Sequence, residues 1–199
     1  MKISFDDDSN IKFYFSFLCP YSYLAWKQIC DIFNNNDKIT IKPINIGLNI
    51  HNNNSYSFRE LWGKDRWDRI SKEANQLGIV ISEPLKIVSE ELAARCIQSF
   101  DIVSVEYYIS SIFKAVFAAD LDISITSSLR YYLQSEGNDS EIIVEASKKP
   151  ETLLQYQEQT ELWRKKRIRA IPTVDVENER IAGFLSRRQL DSIFRSLLE

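Results

Sequence analysis

The sequence of 199 residues contains a single histidine, His51, and this scarcity excludes two common kinds of active site. A histidine-based zinc site needs several imidazole ligands, and a serine-histidine-aspartate relay needs a histidine beside its nucleophile. We expect neither, and we interpret His51 as a surface loop residue.

Cysteine and glycine are also scarce. The three cysteines, Cys19, Cys30 and Cys96, are far apart and form no CxxC pair. A disulfide framework or a thiolate metal cluster is therefore not expected, and we predict no metal site. The five glycines form neither GxGxxG nor GxxxxGK[ST]. This excludes the glycine-rich loops that bind nucleotide phosphates.

Excess positive charge and long apolar runs are absent as well. The chain has 25 basic and 28 acidic residues, a formal charge of −3, and so lacks the basic field that nucleic-acid binding needs. No window approaches the ~20 apolar residues of a membrane span. The first eight residues include three acids where a secretion signal has basic and then apolar residues. We expect a cytoplasmic protein that binds neither nucleic acid nor membrane.

Hydrophobic periodicity predicts a β-α-β unit near the start of the chain. The alternating segment Ile11–Phe17 predicts a strand, and Tyr21–Phe33 has the apolar spacing of a helix. Lys38–Ile46 alternates again and is rich in β-branched residues, which predicts a second strand parallel to the first. Pro43 places that strand at an edge or near a kink.

The middle of the chain is helical in pattern, and strands return only near the end. The predicted helices are Phe58–Leu77, Ser89–Gln98, Ser104–Ala119, Ser124–Ser135, Ser140–Ser147 and Glu151–Ile168. Thr173–Val176 and Arg180–Ala182 then predict a hairpin, and Ser186 caps a last helix. A sheet interrupted by a helical insertion explains this order. We therefore predict an α/β fold with one domain made of residues 1–50 and 170–199, and a helical insertion domain made of residues 51–169.

Two short motifs lie where chemistry is expected. In Cys19-Pro20-Tyr21-Ser22 a predicted strand ends and a helix begins, and the unpaired N–H groups and positive end of a helix favour a thiolate. Ser22, three residues on, can donate its hydroxyl to the sulfur. Taken alone, C-x-x-S is weak evidence, because a cysteine at a strand end is more often a small buried hydrophobe.

The second motif, Ala170-Ile171-Pro172-Thr173, opens the returning strand. With the element order, the two motifs resemble the thioredoxin fold. More narrowly, FSFLCPYSYLA at residues 15–25 resembles the DsbA-like branch with a helical insertion. That branch contains 2-hydroxychromene-2-carboxylate isomerases, kappa-class glutathione transferases and cytoplasmic dithiol oxidoreductases. FKAVF at residues 113–117, followed by DIS at 122–124, is similar to part of that insertion, and the resemblance covers essentially the whole chain.

The active-site motif departs from both kinds of relative. The isomerases and kappa transferases usually carry serine at the position of Cys19, whereas the dithiol oxidoreductases carry CxxC. Here Ser22 stands where a resolving cysteine would be. Cys30 lies eleven residues along the predicted helix, roughly 16 Å away, and a disulfide needs Cα atoms within about 7 Å. Cys30 is therefore excluded as a direct partner, while the distance of Cys96 stays open.

The resemblance implies an enzyme that uses glutathione as cosubstrate. In the isomerase and kappa branch, the residue at the position of Cys19 steadies the glutathione thiolate, which adds to an electrophilic carbon. The implied substrate is a small molecule, for the isomerases a planar aromatic carboxylate, with a pocket lined by aromatic residues of the insertion. Kappa-type relatives are commonly homodimers. In one alternative, Cys19 attacks a disulfide itself and an external thiol releases it, as in a monothiol oxidoreductase. In another, the chain is a non-catalytic protein that binds glutathione or a partner.

The resemblance also implies where glutathione binds. Ile171, before Pro172, offers its backbone N–H and C=O to the peptide part of glutathione, as an added strand does. Leu185 and Ser186 lead into a helix N-terminus that suits the γ-glutamyl carboxylate, although simple N-capping by Ser186 is an equal alternative. The segment after the second strand supplies an asparagine and a basic residue, for which the candidates are Asn53 (or Asn52) and Arg59; for each of these, a solvated loop residue is the alternative.

Overall fold

The computed structural model describes residues 2–6, 8–33, 39–47, 58–99, 102–176 and 179–198. Within these residues five strands form one sheet in the order β1-β3-β2-β4-β5. The strands are β1 (Lys2–Ile3), β2 (Ile11–Phe15), β3 (Thr40–Asn45), β4 (Thr173–Val176) and β5 (Glu179–Ala182). The helices are α1 (Pro20–Phe33), α2 (Phe58–Trp62), α3 (Lys64–Gln76), α4 (Glu91–Cys96), α5 (Ile102–Phe117), α6 (Thr126–Ser135), α7 (Glu141–Lys148), α8 (Pro150–Lys165) and α9 (Arg187–Leu198), with a 3-10 turn at Ile97–Ser99.

The predicted β-α-β unit is confirmed. Strands β2 and β3 are parallel, with Ile11 opposite Ile41, and α1 connects them. Strand β4 runs antiparallel to β2 and pairs with β5 as the predicted hairpin. The short strand β1 was not predicted, because two residues are too few to show a period.

Pro43 lies where β3 has a strand on one side only. It stands opposite Phe13 of β2, whereas β1 pairs only with Thr40 and Ile41 on the other side of β3. A residue without a backbone N–H is tolerated at such a position, because no ladder hydrogen bond is lost there. The edge position that we predict from Pro43 therefore applies only to the second half of β3.

Several predicted boundaries differ from the structure, and three of the differences have a clear local reason. The helix predicted over Phe58–Leu77 is two helices, because Gly63 between them has a φ of 72°, outside the helical region. The strand predicted to reach Phe17 ends at Phe15, since the chain then turns and the Cys19 N–H donates to the Ser16 carbonyl. The helix predicted to reach Ile168 ends at Lys165, and Arg167 has a φ of 55°.

Helices α2–α8 all lie between β3 and β4 in the chain, which is the predicted helical insertion. Insertion and sheet share one continuous hydrophobic core. Phe113 of α5 is 5.8 Å from Phe15 of β2 and 5.3 Å from Tyr23 of α1, measured between ring centroids. Helix α5 therefore holds α1 against the sheet, while the division at residues 50/51 and 169/170 stays a prediction. In the described part of the chain, no helix is both long and apolar enough to cross a bilayer.

Candidate active site

Cys19 lies at the junction of strand and helix that the sequence predicts. After β2 the chain turns through Ser16, and the Leu18 N–H donates to the Ser16 hydroxyl over 3.0 Å. The Cys19 carbonyl accepts hydrogen bonds from the N–H groups of Ser22, at 2.9 Å, and Tyr23, at 3.2 Å. Cys19 thus occupies the capping position at the start of α1, where the orphan N–H groups of the helix point outward.

The Cys19 thiol is fully buried, and its Sγ donates to the carbonyl of Ile171 over 3.6 Å. Burial raises the pKa of Cys19 to about 11, although the Ser22 hydroxyl and the backbone N–H groups of Ser22 and Tyr21 oppose the rise. The N–H groups at the helix start lower the pKa, as the sequence predicts, but the loss of solvent outweighs them and favours the thiol form of Cys19.

The Ser22 hydroxyl has unused hydrogen-bonding capacity beside this thiol. Ser22 is fully buried, and its Oγ makes no hydrogen bond other than its interaction with the Cys19 sulfur. Because this hydroxyl lowers the pKa of Cys19, it faces the sulfur and can donate to a negative charge there.

The second motif, Ala170–Thr173, lies in contact with the first. The peptide bond between Ile171 and Pro172 is cis, and the Pro172 carbonyl accepts the Gly183 N–H over 2.7 Å. The contact between Cys19 Sγ and the Ile171 carbonyl joins residues that are 152 positions apart. The structure thus brings together the two motifs that carry the resemblance.

A buried carboxylate, Glu90, lies beneath the turn and was not predicted as a site residue. It precedes α4 and accepts hydrogen bonds from the Ser16 hydroxyl and the Phe17 N–H, both at 2.6 Å, and from the Asn45 amide at 2.9 Å. In the sequence, Glu90 looks like an ordinary residue at a helix start. Its role becomes visible only in the tertiary structure, where Glu90 contacts Ser16, which lies 74 positions earlier in the chain.

An aromatic surface lies beside the motif, and only its member from the insertion, Trp62, agrees with the expectation of aromatic residues from that segment. The Tyr21 ring is 5.2 Å from Phe184 and 6.3 Å from Trp62, and the Arg66 guanidinium lies 5.7 Å from the centre of the Trp62 ring. The Trp62 Nε1 is buried without a hydrogen-bond partner. Burial raises the pKa of Tyr21, against the effect of Arg69 and Arg66 nearby. This surface can hold a planar ring close to a cation.

The residues predicted to bind glutathione have other partners in the structure wherever the structure describes them. Arg59 is exposed and forms an ion pair with Glu83 at 2.9 Å. The Leu185 carbonyl accepts the side-chain amide of Gln28 over 3.2 Å, which ties the loop before α9 to α1.

Ser186 forms hydrogen bonds with the first turn of α9, the helix that follows it. Its hydroxyl and N–H donate to Gln189 Oε1 at 2.8 and 3.0 Å, an arrangement related to a capping box. Asn53, with Asn52 and His51, lies outside the described residues. A role of Ile171, Pro172, Leu185, Ser186, Asn53 or Arg59 in glutathione binding stays a prediction.

The three cysteines are all free. Cys96 is buried, and burial raises its pKa to about 12, while Cys30 is half-buried with its pKa raised by burial as well. The three cysteines thus form no disulfide with one another in this structure. Among the described residues, no group of three or more His, Cys, Asp or Glu side chains is arranged to hold a metal ion.

Comparison with known proteins places this geometry in a family. A model of the DSBA-like thioredoxin domain matches residues 10–195. Among solved structures, a 2-hydroxychromene-2-carboxylate isomerase superposes with a TM-score of 0.74 at 21% identity, covering 94% of this chain and 95% of the other. A putative protein disulfide isomerase from Nitrosomonas europaea gives 0.73 at 12% identity, with 99% and 97% covered. The cytosolic disulfide reductase DsbM from Pseudomonas aeruginosa, solved with GSH, gives 0.66 at 10% identity, with 94% and 98% covered. No curated protein sequence matches. At these identities the superpositions show a shared fold.

Proposed function

The chain belongs to the family of DsbA-like thioredoxin domains, and from that membership we propose that it is a glutathione-dependent enzyme of the 2-hydroxychromene-2-carboxylate isomerase and kappa-class transferase type. Glutathione supplies the reacting sulfur, and Cys19 and Ser22 bind it as the thiolate. One observation carries this proposal: the buried Cys19 thiol, whose ionisation is disfavoured by burial, lies beside a buried Ser22 hydroxyl that makes no hydrogen bond to any other group.

The protonation of Cys19 decides between the two possible roles of its sulfur. A cysteine acts as a nucleophile in its thiolate form. With a pKa of about 11, only about one Cys19 in 10,000 is ionised at neutral pH. A protonated thiol can instead donate an S–H hydrogen bond to an anion. Cys19 would then do what the serine at this position does in the isomerases and kappa transferases that the motif resembles.

The bound glutathione sulfur would lie at the start of α1. There it accepts hydrogen bonds from the Cys19 thiol and the Ser22 hydroxyl, and the positive end of the helix favours its negative charge. Because Cys19 is buried and bonded to Ile171, glutathione has to displace that carbonyl from the thiol. The structure of DsbM with GSH supports glutathione as the ligand. Such an enzyme works in a cytoplasm, where glutathione is kept reduced.

The chemistry follows from a bound thiolate beside an aromatic surface. The sulfur lone pair forms a bond to an electrophilic carbon of the substrate, and the electron pair of the attacked double bond moves onto the substrate's conjugated carbonyl. In an isomerisation the electron pair of the resulting enolate returns after rotation, re-forms the double bond and expels the glutathione thiolate unchanged, whereas in a transfer the enolate carbon takes up a proton from water and the sulfur-carbon bond remains in the product. Tyr21, Trp62 and Phe184 would hold a planar ring, and Arg66 would attract a carboxylate.

The second candidate function is a monothiol disulfide reductase, which the presence of cysteine rather than serine at position 19 favours. In that reaction the Cys19 thiolate attacks a mixed disulfide, one sulfur leaves as a thiolate, and a second glutathione releases the enzyme. This route needs the ionised form of Cys19, which burial disfavours.

Two substitutions at Cys19 separate these functions. In Cys19→Ser a hydroxyl replaces the thiol as hydrogen-bond donor, and in Cys19→Ala no donor remains. We expect Cys19→Ser to retain the glutathione-dependent turnover of hydroxychromene carboxylates or related electrophiles, and Cys19→Ala to lose about tenfold or more of it, as for one hydrogen bond to a charge. Cys30→Ser, which removes a half-buried thiol from the far half of α1, is the matched control.

Reduction of a glutathione mixed disulfide is measured on the same variants. The proposal is contradicted when the wild type reduces the mixed disulfide and Cys19→Ser and Cys19→Ala both abolish that activity. Absence of glutathione binding to the wild type would also contradict it, and would favour a non-catalytic protein.

A further inference from the structure

Glu90 connects the helical insertion to the active-site turn through a buried hydrogen-bond network. Only 5% of its surface is exposed. Its Oε1 accepts the Ser16 hydroxyl, and its Oε2 accepts both the Phe17 N–H and the Asn45 side-chain amide. These donors come from the ends of β2 and β3, so one carboxylate joins the ends of two neighbouring parallel strands.

The network continues on both sides of the carboxylate. Ser16, while donating to Glu90, accepts the Leu18 N–H, so the turn that leads to Cys19 is fixed from within. Asn45, while donating to Glu90, accepts the Gly47 N–H over 3.1 Å. A side chain at Gly47 would meet the Tyr156 hydroxyl at 3.2 Å and Glu90 Oε1 at 3.9 Å. The space at Gly47 is therefore bounded by Tyr156 and Glu90, and only the contact with Tyr156 would be tight.

We propose that Glu90 is a positioning residue of the candidate site: its carboxylate holds the turn of Ser16–Cys19 against the end of β3, and so fixes where the Cys19 sulfur lies at the start of α1. It touches neither the sulfur nor any reacting atom, and acts through Ser16 and Phe17. Its negative charge also opposes a second negative charge on Cys19, which accords with the raised pKa of that thiol.

Glutamine in place of Glu90 is the informative change, because it keeps the shape and removes the charge. An amide oxygen can still accept the Phe17 N–H and the Asn45 amide, but the amide NH₂ then faces the Ser16 hydroxyl. Ser16 already accepts from Leu18, so its hydrogen loses its acceptor or the turn moves. Glu91→Gln is the matched control, since Glu91 is the next residue, is half-exposed and pairs with Arg95 away from the turn.

The test measures the alkylation of Cys19 as a function of pH, by peptide mass spectrometry, together with the binding of reduced glutathione. In Glu90→Gln we expect the midpoint of alkylation to shift to lower pH, because a negative charge that opposes ionisation of Cys19 is removed, and the rate at neutral pH to rise about tenfold for a shift of about one pH unit. We expect glutathione affinity to fall by a similar factor, and Glu91→Gln to behave as the wild type.

Ser16→Ala tests the effect of Glu90 on the position of the turn separately from the effect of its charge. This variant remains informative when Glu90→Gln folds poorly. It removes the link to the turn but keeps the carboxylate. We expect alkylation of Cys19 to become faster at every pH, with less change in its midpoint than in Glu90→Gln. The proposal is overturned when every variant of the two that folds is alkylated as the Glu91→Gln control is. Only the glutathione readout rests on the proposed function: when the wild type binds no glutathione, that function fails, while alkylation still decides the role of Glu90.

Discussion

Cys19 should react slowly with alkylating reagents at neutral pH, which is the opposite of what its position at a helix start suggests. Burial raises its pKa from an ordinary value of 9.0 to about 11. At neutral pH the reactive thiolate fraction is then roughly one part in 10,000, about a hundredfold below that of an ordinary cysteine. Restricted access to the fully buried sulfur slows the reaction further.

The assay follows iodoacetamide labelling of the peptide that contains Cys19 over a range of pH, with urea-unfolded protein as the reference. We expect the folded rate to be at least about a hundredfold below the unfolded rate at neutral pH, and to rise up to about pH 11. Ser22→Ala removes the hydroxyl that opposes the rise in pKa, so labelling should become slower still, by about tenfold. Ser127→Ala, at an exposed position of α6, is its control.

A labelling midpoint below neutral pH would refute this reasoning. It would show that the helix start and Ser22 outweigh burial, and it would make Cys19 itself the nucleophile. An unchanged rate in Ser22→Ala would show that the hydroxyl does not face the sulfur.

Two further predictions concern stability. Gly47→Ala should lower the free energy of unfolding, measured in urea, by more than Gly137→Ala does. Both glycines have a positive φ, but of the two only Gly47 has a neighbour that an added Cβ would meet, the Tyr156 hydroxyl at 3.2 Å. Equal losses in the two variants would contradict the close contact with Tyr156. Burial tends to raise the pKa of Asp175, but hydrogen bonds from Arg180 and from a tyrosine of β2 outweigh it and hold the pKa below its ordinary value. The ionised Asp175 therefore stabilises the folded protein above the pKa that Asp175 has in the unfolded chain. This stabilisation is lost as the pH falls through the lower pKa of Asp175 in the folded protein. Arg180→Ala should therefore unfold in acid at a higher pH than the wild type, and an unchanged acid midpoint would contradict this.

The fold was predictable from the sequence because its signals are local. Alternation in Ile11–Phe17 and apolar spacing in Tyr21–Phe33 gave the first strand and helix, and turn residues between Val176 and Arg180 gave the hairpin. The position of Cys19 followed from the boundary between strand and helix. Each of these features depends on neighbours within about ten residues.

The chemistry of the site was less predictable because it depends on tertiary contacts. The helix-end argument for a Cys19 thiolate is local and physically sound, but burial by distant segments outweighs it. Glu90 reaches Ser16 from the insertion, and Phe184 reaches Tyr21 from the loop before α9. No periodicity in the sequence indicates either contact.

The ionisation of glutathione bound to the protein tests the central proposal most directly. Thiolate absorbance in the ultraviolet is measured over pH for glutathione alone, the protein alone and the mixture, with wild type and Cys19→Ser. Because burial raises the pKa of Cys19 to about 11, we assign a thiolate signal that appears at lower pH and requires both components to glutathione. We expect bound glutathione to ionise about one pH unit or more below free glutathione, since hydrogen bonds to a charged form favour it, and the signal to persist in Cys19→Ser. A thiolate signal from the protein alone that disappears in Cys19→Ser, or no signal from the mixture, would contradict the proposal.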